Sequence, residues 1–148
     1  MTYGCKLFNE FKDYLHKNNH LVGLYCSGFS WTLRSNLIKE YDNSDDMAKT
    51  NIVNAFCRGP ANKLRVSNIC TDQRIGYDLC IKSKEAKEEL NKAYEPLFNS
   101  GIDYAQILDQ NHGGGQYFCY ADNHGHAPCP GEWMTLEMQD LLSSWNKK

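Results

Sequence analysis

The sequence lacks several patterns that identify whole classes of protein. No run of about 18 apolar residues is present, so no membrane-spanning helix is predicted. Lysine and arginine number 16 against 18 acidic residues, giving a formal net charge of −2. Without a basic excess, nucleic acid is not expected as a partner. No secretory apolar segment opens the chain either, and we therefore expect a cytoplasmic protein.

Two chemical motifs are also missing. There is no G-x-S-x-G nucleophile elbow, so the glycine run in "NHGGG" (111–115) is interpreted as a flexible connection and not as the oxyanion loop of an α/β-hydrolase. No C-x2-C pair occurs among the cysteines, which removes the most specific sequence signature of a zinc site.

Cysteine, by contrast, is plentiful. Seven cysteines are present, an odd number, at irregular spacings along the chain. Five of them lie among apolar or strand-like residues, which is typical of reduced, buried thiols in a reducing compartment. A secreted form with paired disulfides is the alternative that the count leaves open.

The remaining composition predicts a single folded domain. The chain has 148 residues, of which 41% are hydrophobic and 23% charged, as in ordinary globular domains. The periodicity of apolar residues predicts the order helix, hairpin, helix, hairpin, helix, one or two strands, helix. We therefore expect one α+β domain over residues 1–148, with a mostly antiparallel sheet built from hairpins and packed by about four helices.

Particular segments carry this prediction. Helices are expected at 5–17, between Ser44 and Gly59, from Ser83 to about residue 98, and from Thr135 onwards, with Ser44, Ser83 and Thr135 as N-caps. Hairpins are expected within 20–34 and 63–82, and single strands within 102–108 and 116–121. The stripes of aromatic residues and methionine along these elements are interpreted as core.

The segment "CYADNHGHAPCPGEW" (119–133) is the densest in chemical side chains. Cys119, His124, His126 and Cys129 provide four nitrogen or sulfur ligands, the number that structural zinc prefers. Turn-forming residues in the same segment are also typical of a plain surface loop. We expect a metal-free ordered loop leading through Trp133 into the last helix, with a zinc site as the alternative.

A second alternative starts from "YCSGF" (25–29), which resembles the beginning of the cysteine motif of NlpC/P60 peptidoglycan amidases. The resemblance implies a cysteine hydrolase in which Cys26 is the nucleophile and His112, His124 or His126 is the base. The residues that follow alternate as in a strand, whereas that family places its cysteine at the start of a helix.

An acidic segment gives the leading functional hypothesis. Glu40, Asp42, Asp45 and Asp46 gather within "KEYDNSDD", where they act either as a solvated face or as a patch for a basic partner. Since no motif specifies a reaction, we expect a protein that binds another protein. An inhibitor, immunity or anti-defence protein that occupies a macromolecular partner is the kind expected.

Overall fold

Over the residues that it describes, the computed structural model has four helices and four short strands, which is a mixed α+β architecture. The helices are α1 (Tyr3–Lys17), α2 (Ser44–Lys49), α3 (Lys84–Phe98) and α4 (Glu132–Trp145). The strands are β1 (Gly23–Cys26), β2 (Ser30–Ser35), β3 (Arg74–Asp78) and β4 (Tyr104–Ile107), with a 3-10 helix at Ile52–Ala55. The structure describes residues 3–26, 28–38, 40–67, 74–107 and 118–146, and for 3–5 the backbone alone.

The strands form two separate two-stranded sheets, and the predicted hairpin within 20–34 is wrong. β1 pairs in parallel with β4, placing Gly23 opposite Tyr104, while β2 pairs antiparallel with β3. Alternation along a strand shows which side chains share a face, but it carries no information about the partner strand. Here the partner of β1 lies far along the chain, as a parallel pair requires.

The second predicted hairpin, within 63–82, is represented by a single antiparallel bridge between Val66 and Tyr77. The amide of Ser67 donates to the carbonyl of Gly76 (3.1 Å), and the amide of Asp78 donates to Arg65 (3.1 Å). Residues 68–73, which connect the two sides, lie outside the described residues. Among the residues described, the only antiparallel sheet is therefore β2 with β3, and a mostly antiparallel sheet is not found.

The predicted N-cap is correct for α3 and differs from the structure for α2 and α4. The Ser83 side chain accepts a hydrogen bond from the amide of Ala86 (3.3 Å), so the predicted cap of α3 is confirmed. By contrast, α2 ends at Lys49 and is followed by the 3-10 helix, and its N-cap is Asn43 instead of Ser44. Helix α4 begins ahead of Thr135, with Gly131 at the N-cap.

Helix α1 forms as predicted, but its apolar face is not core. Leu7, Phe11 and Tyr14 are each about half exposed or more. The helix is fastened by polar contacts instead: Lys12 donates to the carbonyl of Ser100, and His16 hydrogen bonds Asp103 (2.8 Å). Helical periodicity predicts which residues share a face, and packing against a neighbour then decides whether that face is buried.

The core lies between α3, α4 and the β2–β3 sheet. Phe29, Tyr94 and Trp145 contact one another with ring centroids 5.0–6.2 Å apart. Each such side chain contributes roughly 1.5–3 kcal/mol when fully buried. A second aromatic group around Phe56, which is completely buried, continues the core towards β3. In the part of the chain that the structure describes, no helix has the length and apolar character needed to cross a bilayer.

Candidate metal centre

Three distant segments of backbone meet at one point beside Phe56. The amide of Cys57 donates to the carbonyl of Asp78 (2.8 Å), and the amide of Cys80 donates to Ala55 (2.7 Å). The third segment joins them through the amide of Tyr120, which donates to the carbonyl of Arg58 (2.9 Å). These hydrogen bonds bring Cys57, Cys80 and Cys119 together, with all three side chains buried.

The loop before α4 adds two histidines to the three cysteines. Gly125 separates His124 from His126 and adopts φ 76°, a backbone conformation that favours glycine. His124 is buried, while His126 is half-buried and stacks on Trp133 in the first turn of α4. The indole Nε1 of Trp133 donates to the carbonyl of Cys129 (2.9 Å), which fastens the loop to the helix.

One ligand atom from each of Cys80, Cys119, His124 and His126 lies within 4.8 Å of all the others. The Sγ of Cys119 is 3.5 Å from Nδ1 of His124, and the Sγ of Cys80 is 3.4 Å from Nε2 of His126. With Zn–S of about 2.3 Å and Zn–N of about 2.0–2.1 Å, tetrahedral zinc requires sulfur and nitrogen ligands about 3.5 Å apart. The spacing of these donors therefore fits a tetrahedral metal ion.

The hydrogen bond at the imidazole of His126 also fits metal binding. Nδ1 of His126 lies 2.6 Å from the carbonyl oxygen of Ala127, so it is the protonated nitrogen and Nε2 has a free lone pair towards Cys80. This arrangement is common for metal-ligating histidines, whose second nitrogen is fixed by a hydrogen bond. Nε2 of His124 is buried and has no hydrogen-bond partner in the described structure. Its Nδ1, which lies 3.5 Å from the Sγ of Cys119, is the ring nitrogen that faces the cluster.

The thiols differ in how readily they ionise. Hydrogen bonds from Cys57 and Cys80, with a further one from His124, lower the pKa of Cys119 against the opposing effect of burial. The pKa of Cys80 is raised to about 12, mainly by its hydrogen bond with Cys119. Hydrogen bonds with Cys119 and Cys80, together with burial, also raise the pKa of Cys57. Negative charge on Cys119 is therefore favoured by the hydrogen bonds that its sulfur receives.

The structure brings together three of the four residues of the alternative zinc set. Cys119, His124 and His126 lie in the cluster, but Cys129 is exposed and is not part of it. Cys80 supplies the fourth ligand atom. The sequence analysis missed Cys80 because it follows an apolar strand far from the loop, where a cysteine is usually a core residue. The signal available in the sequence was that Cys80 lies between two apolar residues, Leu79 and Ile81, close to the end of a strand.

Cys26, the nucleophile of the NlpC/P60-like alternative, lies at the end of β1 and away from this arrangement. The residues that follow it form strand β2, where that family has a helix. His124 and His126 contact Cys119 and Cys80 instead. Burial raises the pKa of the Cys26 thiol, opposite to what an activated nucleophile needs. His112 lies outside the described residues.

The four acidic residues of the segment "KEYDNSDD" have different surroundings in the structure. Glu40 is exposed, and Asp45 pairs with Lys49 at 2.8 Å. Asp42 accepts a hydrogen bond from the amide of Ser44 (2.9 Å), and hydrogen bonds with Ser44 lower the pKa of its carboxyl. Asp46 lines a depression of about 590 Å³ together with Trp31 and the acidic face of α3.

Four protein donors around one point leave no position for a substrate, which is typical of structural and not catalytic zinc. Two of these donors, Cys80 and Cys119, are at most 2% exposed. No known protein family, curated protein or solved structure matches this chain. Its function therefore has to be inferred from the site.

Proposed function

We propose that this chain is a zinc-stabilised domain in which Cys80, Cys119, His124 and His126 bind one Zn²⁺ ion. The observation that carries this proposal is the convergence of four ligand atoms within 4.8 Å. They come from the end of β3, from the segment at Cys119 and from the loop before α4. The proposal replaces the expected metal-free loop, because the ligand atoms of two cysteines and two histidines converge in a largely buried cluster.

The donor set favours zinc among common biological metals. Two thiolates and two imidazoles in tetrahedral geometry are typical of Zn²⁺, whereas magnesium and calcium prefer oxygen ligands. Two thiolates also balance the charge of the ion, so the buried centre is neutral overall. The amide of Arg58 lies 3.4 Å from the Sγ of Cys119 and donates to it, which stabilises negative charge on that sulfur.

The expected role of the ion is to stabilise the fold. It would join the segment after β3 to the loop that precedes α4. Structural zinc in finger peptides binds with about 10–16 kcal/mol at neutral pH. The whole free energy of unfolding of a domain is about 5–15 kcal/mol, so loss of zinc is expected to unfold much of this chain.

Elemental analysis and thermal unfolding together test the proposal. The purified protein should contain about one zinc per chain, and a strong chelator should lower the melting temperature by well over ten degrees. His124→Ala should reproduce the loss of zinc, whereas His20→Ala provides the matched control because His20 is exposed and outside the cluster. A chain without zinc, whose melting temperature is the same with and without chelator, contradicts the proposal.

A second function, binding to a basic protein, is supported by the depression next to Trp31. Asp46, Glu85, Glu88 and Glu89 line it. Lys84 and Lys92 also lie there, and each pairs with a glutamate on α3. The depression retains an acidic excess beside the partly buried Trp31, a combination that attracts lysine and arginine side chains. We propose that an inhibitor or immunity type of interaction uses this surface.

A further inference from the structure

We propose that the pocket has a second binding mode, in which Cys57, Cys80 and Cys119 bind Cu(I) as three thiolates and the histidines are not ligands. This inference rests on the proposed zinc centre, because the two modes share Cys80 and Cys119. They also differ: Cys57 belongs only to the copper mode, whereas His124 and His126 belong only to the zinc mode.

The three thiols form a closed triangle. The Sγ atoms of Cys80 and Cys119 lie within 4.8 Å of each other. Cys57 and Cys80 flank the antiparallel bridge between Phe56 and Leu79, and the amide of Arg58, the residue after Cys57, donates to the Sγ of Cys119 (3.4 Å). Their exposed fractions are 0% for Cys57, 2% for Cys80 and 0% for Cys119. Cys57 is not one of the four residues whose ligand atoms lie within 4.8 Å of one another. It therefore sits on the sulfur side of the pocket, facing Cys80 and Cys119.

The backbone fixes this triangle more firmly than it fixes the histidines. Cys57 and Cys80 are joined to the β3 segment and the 3-10 helix by hydrogen bonds of 2.7–2.8 Å, and Cys119 is followed by the Tyr120 amide bond to Arg58. His126, by contrast, is half-buried on a loop. A site that uses only the cysteines needs no adjustment of that loop.

The chemistry of the triangle suits a soft monovalent ion. Thiolate ligands select Cu(I), whereas a mixed set of thiolates and imidazoles suits zinc. When Cu(I) binds, the three sulfur atoms form bonds to the metal and their S–H protons leave for solvent. Copper is supplied as Cu(I), so no electron is transferred. The Arg58 amide, which donates to Cys119, offsets part of the resulting negative charge.

The test compares two metals on matched variants of the full chain. Metal-free protein is titrated without oxygen, using the Cu(I) complex of bathocuproine disulfonate as copper donor and a chromophoric chelator as zinc competitor. Cys57→Ser should weaken Cu(I) binding by at least about tenfold and change zinc binding by less than about threefold. His126→Ala should do the opposite. Cys129→Ser, an exposed thiol outside the cluster, should change neither affinity.

Each other outcome overturns the inference. If Cys57→Ser leaves Cu(I) affinity unchanged, Cys57 is not a copper ligand. If it lowers zinc affinity as much as Cys80→Ser does, Cys57 is a zinc ligand and the two modes are not distinct. Should Cys57→Ser fail to fold, copper-edge X-ray absorption of the parent decides: a shell of three sulfurs supports the proposal and a nitrogen contribution contradicts it.

The two proposals fail separately. A parent chain that binds zinc but does not take Cu(I) from bathocuproine disulfonate loses only the copper mode. A parent that binds no zinc, yet takes Cu(I) in a way that depends on Cys57, loses only the zinc-stabilised function.

Discussion

The imidazole of His126 lies flat against the indole of Trp133, with ring centroids 3.8 Å apart and planes inclined by 7°. Trp133 belongs to the first turn of α4, so the helix fixes the plane of a metal ligand that lies on a loop. Nδ1 of the same imidazole bonds the Ala127 carbonyl, which fixes its rotation within that plane. The ring is therefore oriented before any metal binds.

Trp133 is expected to act as a positioning residue for zinc. Trp133→Ala removes both the stacking surface and the hydrogen bond to Cys129, and should lower zinc affinity by about tenfold. Trp133→Phe keeps a flat ring beside His126 and should recover most of that loss. Competition with a chromophoric chelator measures both variants. Equal affinities for parent and Trp133→Ala would show that the stacking has no role in binding.

Cys80 belongs to the cluster in the structure, whereas Cys129 belongs to the alternative zinc set of the sequence analysis. Variants of these two cysteines can therefore be compared directly. Cys80→Ser should reduce the bound zinc well below one ion per chain, because Cys80 supplies a ligand atom. Cys129→Ser should retain the full amount, since Cys129 is exposed and outside the cluster. Elemental analysis of both purified variants checks this. The reverse result would restore the ligand set that the sequence predicts.

Only the candidate ligands that lie close together in the sequence could be predicted. Cys119, His124 and His126 are close in sequence, so their spacing already indicated a ligand set. Cys80 could not be found this way, because it is distant in sequence and tertiary contacts such as the hydrogen bond of its amide with Ala55 bring it to the cluster. Tertiary contacts of this kind leave no regular spacing in the sequence.

For the fold, too, local features could be predicted from the sequence, whereas strand pairing and burial could not. Helix α3 was predictable, because its Ser83 cap and its apolar stripe are both local features. The pairing of β1 with β4 was not, because a nearby strand, β2, offered a plausible hairpin partner. The sequence also did not predict the exposure of Phe11, which is 57% exposed although it lies on the apolar face of α1.

Glu137 is expected to make stability depend on pH. Burial alone would raise the pKa of its carboxyl, but hydrogen bonds from Lys82 and Lys87 outweigh burial and the pKa is lowered from 4.5. A lowered carboxyl pKa stabilises the fold above the unfolded value, and the effect is lost as the pH falls through the folded value. Glu137→Gln should therefore lower the free energy of unfolding by about 1–2 kcal/mol at pH 7. This value allows for solvent screening, because both lysine side chains are about one-third exposed.

Urea unfolding at pH 7 and at several values below 4.5 measures this effect. The difference between parent and Glu137→Gln should shrink steadily below pH 4.5. Glu10→Gln serves as the control, because Glu10 is an exposed residue on α1 with only a 3.8 Å pair to Lys6. A difference for Glu137→Gln that stays constant with pH would mean that its charge does not contribute.

Asp46 is expected to speed the association of a basic partner. It lines the depression beside Trp31, so Asp46→Lys should slow the binding of a lysine-rich peptide and flatten its dependence on salt, with less effect on dissociation. Asp45→Lys is the matched control at the neighbouring position, since Asp45 already pairs with Lys49. Asp42 is unsuitable for this purpose because it accepts the Ser44 amide at the start of α2. Stopped-flow fluorescence at several salt concentrations gives the rates, and equal association rates for Asp46→Lys and the parent would exclude this surface as the binding site.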